Sequence, residues 1–150
     1  MSAVVWTIIA VLIVLNALYV AAEFGAVGVR RSRIRRLADD GNLFAKRLIP
    51  FLDSPSALDR YVGVSQIGIT LSSLMLGAYA QATVSVALAP TLERWFELKP
   101  PTALSVSVVG VLVILTAVQL VLGELVPKAL ALQYPTETAL ATVFPMRWSL

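Results

Sequence analysis

The stretch PPTALSVSVVGVLVILTAVQLVLGELVPK, residues 100–128, contains no charged side chain before Glu124. A helix rises about 1.5 Å per residue, so the uncharged run up to Gly123 is long enough to cross a hydrocarbon core of about 30 Å. Pro127 has no N–H, so a helix that continues through it leaves the Gly123 carbonyl without its usual intrahelical partner. A carboxylate and a free carbonyl then lie together, and oxygen ligands of this kind suit a hard cation such as magnesium or sodium.

The composition extends this interpretation to the whole chain. Its 150 residues are 58% hydrophobic and 14% charged, and the mean hydropathy is +0.82. Long uncharged runs predict an all-α membrane protein with three transmembrane helices, at about residues 3–28, 57–90 and 101–126. The alternating pattern of a membrane barrel is absent from these runs, so helices are expected to satisfy the backbone in lipid.

The residue types that are missing exclude several functional classes. The chain contains no cysteine and no histidine, which removes zinc-finger chemistry, Ser/His/Asp and Cys/His catalysis, and soft-metal sites. We therefore predict that the protein is not an enzyme. The net charge of +3 does not indicate nucleic-acid binding, because the basic residues lie directly beside a hydrophobic span and are interpreted as membrane-flanking charges.

A cluster of basic residues follows the first span and predicts the topology. Five arginines occur within seven residues, at Arg30, Arg31, Arg33, Arg35 and Arg36. By the positive-inside rule this flank is cytoplasmic, so we expect a multi-pass protein of the cell membrane with its N-terminus outside. Juxtamembrane helices are predicted at about 31–52 and 129–150, the first with its arginines toward lipid headgroups. A solvated charged face without lipid specificity is the alternative.

Polar side chains in the first two spans are candidates for a cation site. Gln66, Thr70 and Ser73 are spaced by four and three residues, which predicts three side-chain oxygens on one helix face. Such residues also serve helix packing, so this alternative stays open. Glu23 is expected near the depth of Gln66 and Glu124, at the cytoplasmic ends of the spans. It is either a partner for a basic side chain or a participant in ion transport.

Lys128 allows a structural interpretation of Glu124, as a partner in an ion pair instead of a ligand for a cation. It follows Glu124 by four residues, the favourable order for an ion pair on a helix, and such a pair would neutralise the carboxylate. The residues after it are apolar but contain Pro135 and Pro145, so they are predicted to run along the cytoplasmic interface instead of spanning again.

Three motifs together resemble the membrane domain of the CorC/CNNM family of magnesium transporters, often labelled hemolysin-C-like. They are NALYVAAEF at Asn16–Phe24 with the arginines behind it, QIGITLSSL at Gln66–Leu74, and GELVPK at Gly123–Lys128. The resemblance extends over nearly all of the chain. It implies a homodimer in the lipid bilayer, with three spans and a belt of juxtamembrane helices in each subunit. It also implies cytosolic CBS and CorC domains on the same chain, beyond the residues present here.

The resemblance also implies a function and a ligand set. It implies magnesium efflux coupled to sodium, with the ion held by oxygens from all three spans and Glu124 as the charged ligand. Carried over by motif position, Glu124 and the Gly123 carbonyl match the family's ligands. With the polar face of the second span, the predicted metal ligands are Glu124, Gly123, Thr70, Ser73 and Gln66, and the supporting residues are Glu23, Asn16, Pro127 and Lys128. The family's first-span serines and second-span asparagines are replaced here by Val20, Ala22, Ile69, Thr70 and Ser73.

Two alternatives follow from these differences. The first is a non-transporting membrane anchor and dimerisation module for a regulatory domain, which predicts that the polar faces pack dry against other helices. The second is an exporter of an organic cation such as a diamine, for which the carboxylate pair Glu23 and Glu124 is better suited than it is for one compact ion.

Overall fold

The computed structural model describes residues 2–149, and this part of the chain consists of helices without any strand. The helices are α1 Ala3–Gly28, α2 Arg31–Asp39, α3 Leu43–Leu52, α4 Pro55–Ala80, α5 Val86–Phe96, α6 Pro100–Gln119, α7 Val126–Gln133 and α8 Pro135–Ser149. π-helical turns at Gln81–Ser85 and Leu120–Leu125 join α4 to α5 and α6 to α7. Three continuous helices are long and apolar enough to cross a membrane, which confirms the predicted fold.

The second and third spanning helices extend beyond their predicted ends. The second helix continues through Pro90 to Phe96, because α5 packs along α6 and tertiary contact outweighs the loss of one backbone hydrogen bond. The third helix continues through Pro127 to Gln133 and so includes the first residues of the predicted juxtamembrane segment 129–150.

Each predicted juxtamembrane segment is divided by a turn. The segment 31–52 forms α2 and α3, separated at Gly41, whose φ of 97° lies in the left-handed region that glycine tolerates best. The side chain of Asn42 then accepts hydrogen bonds from Phe44 and Ala45 and caps α3. The segment after α7 turns at Tyr134, because a residue that precedes a proline disfavours the helical conformation, and Pro135 starts α8.

The first span is the centre of the packing. Helix α1 contacts α4, α7 and α8. A Cβ on Gly25 would lie 3.0 Å from the backbone nitrogen of Ala139, so glycine at this position lets α8 approach α1 closely. Helices α2, α3 and α8 then enclose the end of α1 around the fully buried Ile34 and Leu48. Helix α8 is therefore packed onto the bundle as well as following the third span.

Candidate functional site

Asn16 lies near the middle of α1 and is fully buried between the three spans. Its Nδ2 donates to the Gly123 carbonyl at 3.1 Å. Its Oδ1 accepts from the Ser72 hydroxyl at 2.9 Å and from the Ser73 hydroxyl at 3.2 Å. One amide therefore joins the first, second and third spans through hydrogen bonds in an otherwise apolar environment, where such bonds are difficult to replace.

The Gly123 carbonyl is available to Asn16 because the backbone hydrogen bonds of the third span change register here. The helix widens into the turn Leu120–Leu125, and the Val126 N–H bonds to the Val121 carbonyl five residues back. Pro127 then has no N–H to donate to the Gly123 carbonyl. A Cβ at position 123 would lie 3.0 Å from Asn16 Nδ2, so the absence of a side chain permits this contact. π-helical turns of this type occur frequently at functional sites.

Two residues outside the predicted ligand set complete this cluster. Ser72 is 5% exposed and contacts Asn16, and Gln119 donates from Nε2 to the Ser73 hydroxyl. We name Asn16, Ser72, Ser73, Gln119 and Gly123 the amide cluster. In the sequence, Ser72 belongs to a face of small residues on α4, of which Ser65, Gly68 and Ser72 are buried. Helical spacing alone does not tell whether this face or the neighbouring one, which also carries hydroxyls, points into the bundle.

Glu124 follows Gly123 directly in the sequence and is half-buried. Lys128 does not neutralise it, since its Nζ lies 4.6 Å from the centroid of the Phe24 ring and, within residues 2–149, no ion pair joins these two side chains. The lysine instead connects the third span to the C-terminal part of α1 by a cation–π contact. The carboxylate is left free to meet another cation.

The other predicted residues occupy a second level, closer to the arginines. Gln66 Nε2 donates to Glu23 Oε1 at 3.3 Å, and Thr70 donates to the Gln66 carbonyl at 2.9 Å. Glu23 lies seven residues beyond Asn16, or about 10 Å along the helix. We expected Glu23, Gln66 and Glu124 at one depth. Instead, Glu23 and Gln66 lie together on one level, and Gly123, the residue before Glu124, lies with Asn16 on another.

The predicted polar face of α4 is also divided. Gln66 and Thr70 are exposed and line a shallow groove of about 280 Å³ with Gly63, Ile67 and Leu71. Ser73, by contrast, belongs to the amide cluster. The structure thus brings together Ser73, Gly123 and Asn16, and it places Gln66 and Thr70 with Glu23. The cause is a difference of rotation around α4, whose buried face is centred on Ser65, Gly68 and Ser72 and not on Gln66.

The chemistry available at the amide cluster is that of oxygen ligands with a single negative charge. Among the described residues, no group of three or more Asp, Glu, His or Cys side chains comes together. The oxygens of the amide cluster are an amide oxygen, hydroxyls and a backbone carbonyl, and Glu124 follows the residue that supplies this carbonyl. This set suits a hard cation and excludes a site of the thiolate or imidazole type.

Comparison with known proteins identifies the family. The family model of the cyclin M transmembrane N-terminal domain matches residues 7–150. The chain belongs to the CNNM family. This CNNM domain is 34% identical over 143 residues to UPF0053 protein YhdP of Bacillus subtilis, a match that covers 94% of the chain and 31% of the relative. UPF0053 protein YhdT of the same organism is 37% identical over 143 residues, which is 93% of this chain and 30% of that protein.

The name of a third relative of this CNNM domain states a transport function. The Polyamine export protein of Haemophilus influenzae is 26% identical over 148 residues, covering 96% of the chain and 33% of the relative. The chain thus spans about a third of the length of the relatives described. Family membership confirms the resemblance that the three motifs indicate, and together with the three long apolar helices it shows a multi-pass membrane domain.

Proposed function

We propose that this CNNM domain is the membrane part of a cation transporter that moves magnesium out of the cytoplasm in exchange for sodium. The observation that carries the proposal is the convergence of three spans on the amide cluster, which includes Gly123, the residue directly before Glu124 in the sequence. Polar and ionisable groups at such depth are costly in lipid and are typically found on substrate or ion pathways.

Glu124 is the central charged ligand in this proposal. The Gly123 carbonyl and the Ser73 hydroxyl are neutral ligands, and waters complete the coordination that magnesium retains at about 2.0–2.1 Å. The Gly123 carbonyl accepts one hydrogen bond from Asn16 Nδ2, and its second lone pair is available to an ion; a turn of the amide would add a further ligand. A turned amide would present Oδ1 to the ion and Nδ2 to the hydroxyl oxygens of Ser72 and Ser73, and both sides of the amide would keep partners.

The second level has a supporting role. Glu23 contributes negative charge between the amide cluster and the cytoplasmic flank, and Gln66 and Thr70 supply oxygens along that path. Pro127 keeps the Gly123 carbonyl free of a backbone donor, and Lys128 fixes the end of the third span against Phe24. The proposed assembly is a homodimer in the cell membrane with its N-termini outside and CBS and CorC domains in the cytoplasm.

An organic dication is the second candidate cargo. The relative named as a polyamine export protein aligns with almost the whole chain. Glu23 lies seven residues beyond Asn16, about 10 Å along α1, whereas Glu124 follows Gly123, the hydrogen-bond partner of Asn16. Two separated charges suit a molecule with an ammonium group at each end better than they suit one compact ion.

The charge of Glu124 is tested by magnesium flux in liposomes that contain the purified chain. We expect Glu124→Gln to lower the flux on the order of tenfold or more, since an interaction with a charged group is lost. The matched control is Glu97→Gln, which removes the same charge from the connection between α5 and α6 and should leave the flux unchanged. Unchanged flux in Glu124→Gln, or no flux in the parent chain, would contradict the proposal, and the latter would favour a membrane anchor.

The cargo is tested by thermal unfolding in the presence of magnesium, sodium or putrescine. For magnesium, stabilisation should depend on Glu124 and persist in Glu23→Gln, because Glu23 lies on the other level. For a diamine, stabilisation by putrescine should be lost in both variants. The second result would assign the transporter to organic cations.

A further inference from the structure

A basic cleft of about 650 Å³ opens where the first span ends, at the opposite end of α1 from the first residues of the chain. It is lined by Gly28, Arg30, Ser32, Arg33, Arg36, Pro135 and Thr136. Gly28 lies twelve residues beyond Asn16, or about 18 Å along the helix, so the cleft is separate from the amide cluster and from the proposed transport function.

Two helices begin at this cleft. Helix α2 starts at Arg31 and α8 starts at Pro135, and residues from the first turn of each line the cleft. The first N–H groups of a helix have no intrahelical partner, and the helix dipole makes this end positive. Two helix N-termini and the arginine side chains therefore place positive potential on the same small volume.

The arginines of the cleft differ in their partners. Arg33 lies 3.8 Å from Glu137, and both side chains are more than half exposed, so this pair is weak and screened. Over residues 2–149, no carboxylate lies within 4 Å of Arg30 or Arg36. By contrast, Arg35 lies outside the cleft and pairs with Asp53 at 2.9 Å. The two guanidinium groups of Arg30 and Arg36 are available to an external anion.

Thr136 gives an independent indication of a ligand. It is 5% exposed and lines the cleft, yet its hydroxyl has no hydrogen-bond partner among the residues that the structure describes. Four other helical threonines donate to the carbonyl four residues back: Thr7, Thr70, Thr83 and Thr142. Thr136 follows the turn between α7 and α8, so its hydroxyl is free to donate elsewhere. Within residues 2–149 the buried side-chain atoms without a partner are the hydroxyls of Tyr61 and Ser85, so the Thr136 hydroxyl is open to the cleft and can donate to a ligand oxygen.

We propose that this cleft binds a phosphate group, and that its source is the headgroup of an anionic phospholipid in the cytoplasmic leaflet. Arg30 and Arg36 provide planar N–H pairs that match phosphate oxygens, the starts of α2 and α8 provide backbone N–H groups, and the Thr136 hydroxyl donates one further bond. The cleft begins at Gly28, where the first span ends, which is the depth of lipid headgroups. A bound headgroup would hold the starts of α2 and α8 together.

The experiment measures the thermal unfolding of the purified chain in detergent during titration with short-chain phosphatidylglycerol, short-chain phosphatidylcholine or inorganic phosphate. The cleft variant carries Arg30→Gln and Arg36→Gln. The control carries Arg31→Gln and Arg47→Gln, which remove the same charge from residues that do not line the cleft. We expect phosphatidylglycerol to stabilise the parent and the control at similar concentrations. The cleft variant should need at least about tenfold more phosphatidylglycerol for the same stabilisation.

Thr136→Val tests the hydroxyl without a change of charge or shape, and we expect a loss of a few-fold in apparent affinity. Inorganic phosphate that stabilises the chain with the same dependence on Arg30, Arg36 and Thr136, while phosphatidylglycerol does not, would support the site and assign it to a soluble phosphate. Equal losses in the cleft variant and the control would show diffuse attraction to a basic surface and overturn the proposal. Stabilisation by neither compound would also overturn it.

Discussion

The Asn16 side chain and the Gly123 backbone meet at 3.1 Å, which joins the middle of the first span to the register change of the third. This contact couples two local features that the sequence presents separately, a buried asparagine and a proline four residues after a glycine. The backbone carbonyl that Pro127 cannot satisfy is satisfied by a side chain from another helix. A cation that binds the Gly123 carbonyl therefore shares this oxygen with the Asn16 amide or displaces it.

Replacement of Asn16 by alanine should destabilise the fold. The Gly123 carbonyl loses its side-chain donor and the Ser73 hydroxyl loses its acceptor, whereas Ser72 can still donate to the Gly68 carbonyl at 2.8 Å. We expect a loss of about 1–3 kcal/mol in the free energy of unfolding, measured by titration with a denaturing detergent. Ser105→Ala removes a hydroxyl whose bond is local and exposed, so it should change the stability little.

Pro127→Ala should reduce the dependence of the structure on Asn16. Alanine restores an N–H that can reach the Gly123 carbonyl, so this carbonyl keeps a partner when the asparagine is removed. In a double-mutant cycle with Asn16→Ala we expect the double variant to be more stable than the sum of the single effects predicts, by about 0.5–2 kcal/mol. Additive effects would mean that Pro127 and Asn16 do not act on the same carbonyl.

The sequence predicts the architecture of this domain well because hydrophobic length is a strong constraint in lipid. Three uncharged runs are sufficient to predict three spanning helices. The ends of the helices are harder to predict, since Pro90 and Pro127 are tolerated inside helices that pack against neighbours. The division of segments 31–52 and 129–150 into separate helices depends on Gly41, which has a positive φ, and on Pro135, which disfavours the helical conformation at Tyr134.

The candidate site is less predictable than the fold. The motif shows that Glu124 directly follows Gly123. It does not show which residues of the other spans lie at the same depth, because packing decides how far each span is shifted relative to the others. Asn16 meets Gly123, while Glu23 meets Gln66 about 10 Å farther along, at 1.5 Å per residue. A helical spacing of four and three also tolerates a wide range of rotations, so it could not distinguish the exposed Thr70 from the buried Ser72.

Gly123→Ala should disturb the amide cluster because its Cβ would lie 3.0 Å from Asn16 Nδ2 and 3.3 Å from Gln119 Cγ. Both neighbours must move, and we expect a loss of about 1–3 kcal/mol in the free energy of unfolding together with reduced cation-dependent stabilisation. The control is Gly110→Ala in the same span, where no atom lies within 4 Å of an added Cβ. It should be neutral or stabilising by up to about 1 kcal/mol, since alanine favours a helix. Similar losses in both variants would show a general effect on the helix.

Tyr61→Phe tests whether the core that α2, α3 and α8 form at the end of α1 contains a polar group without a partner. Tyr61 is fully buried, its ring centroid lies 5.5 Å from that of Phe51, and its hydroxyl has no hydrogen bond within the described part of the chain. The hydroxyl of Thr142 donates to the Thr138 carbonyl. Removal of an unpaired buried hydroxyl should leave the free energy of unfolding unchanged or raise it by up to about 1 kcal/mol.

Tyr61→Ala is the companion variant for this position. It removes the ring as well as the hydroxyl and should cost about 3–5 kcal/mol, because a large cavity would remain beside Phe51 and the buried face of α8. The two values separate the contribution of the ring from that of the hydroxyl. If Tyr61→Phe were instead destabilising by more than about 1 kcal/mol, the hydroxyl would have a partner in the membrane-embedded protein, such as a bound water.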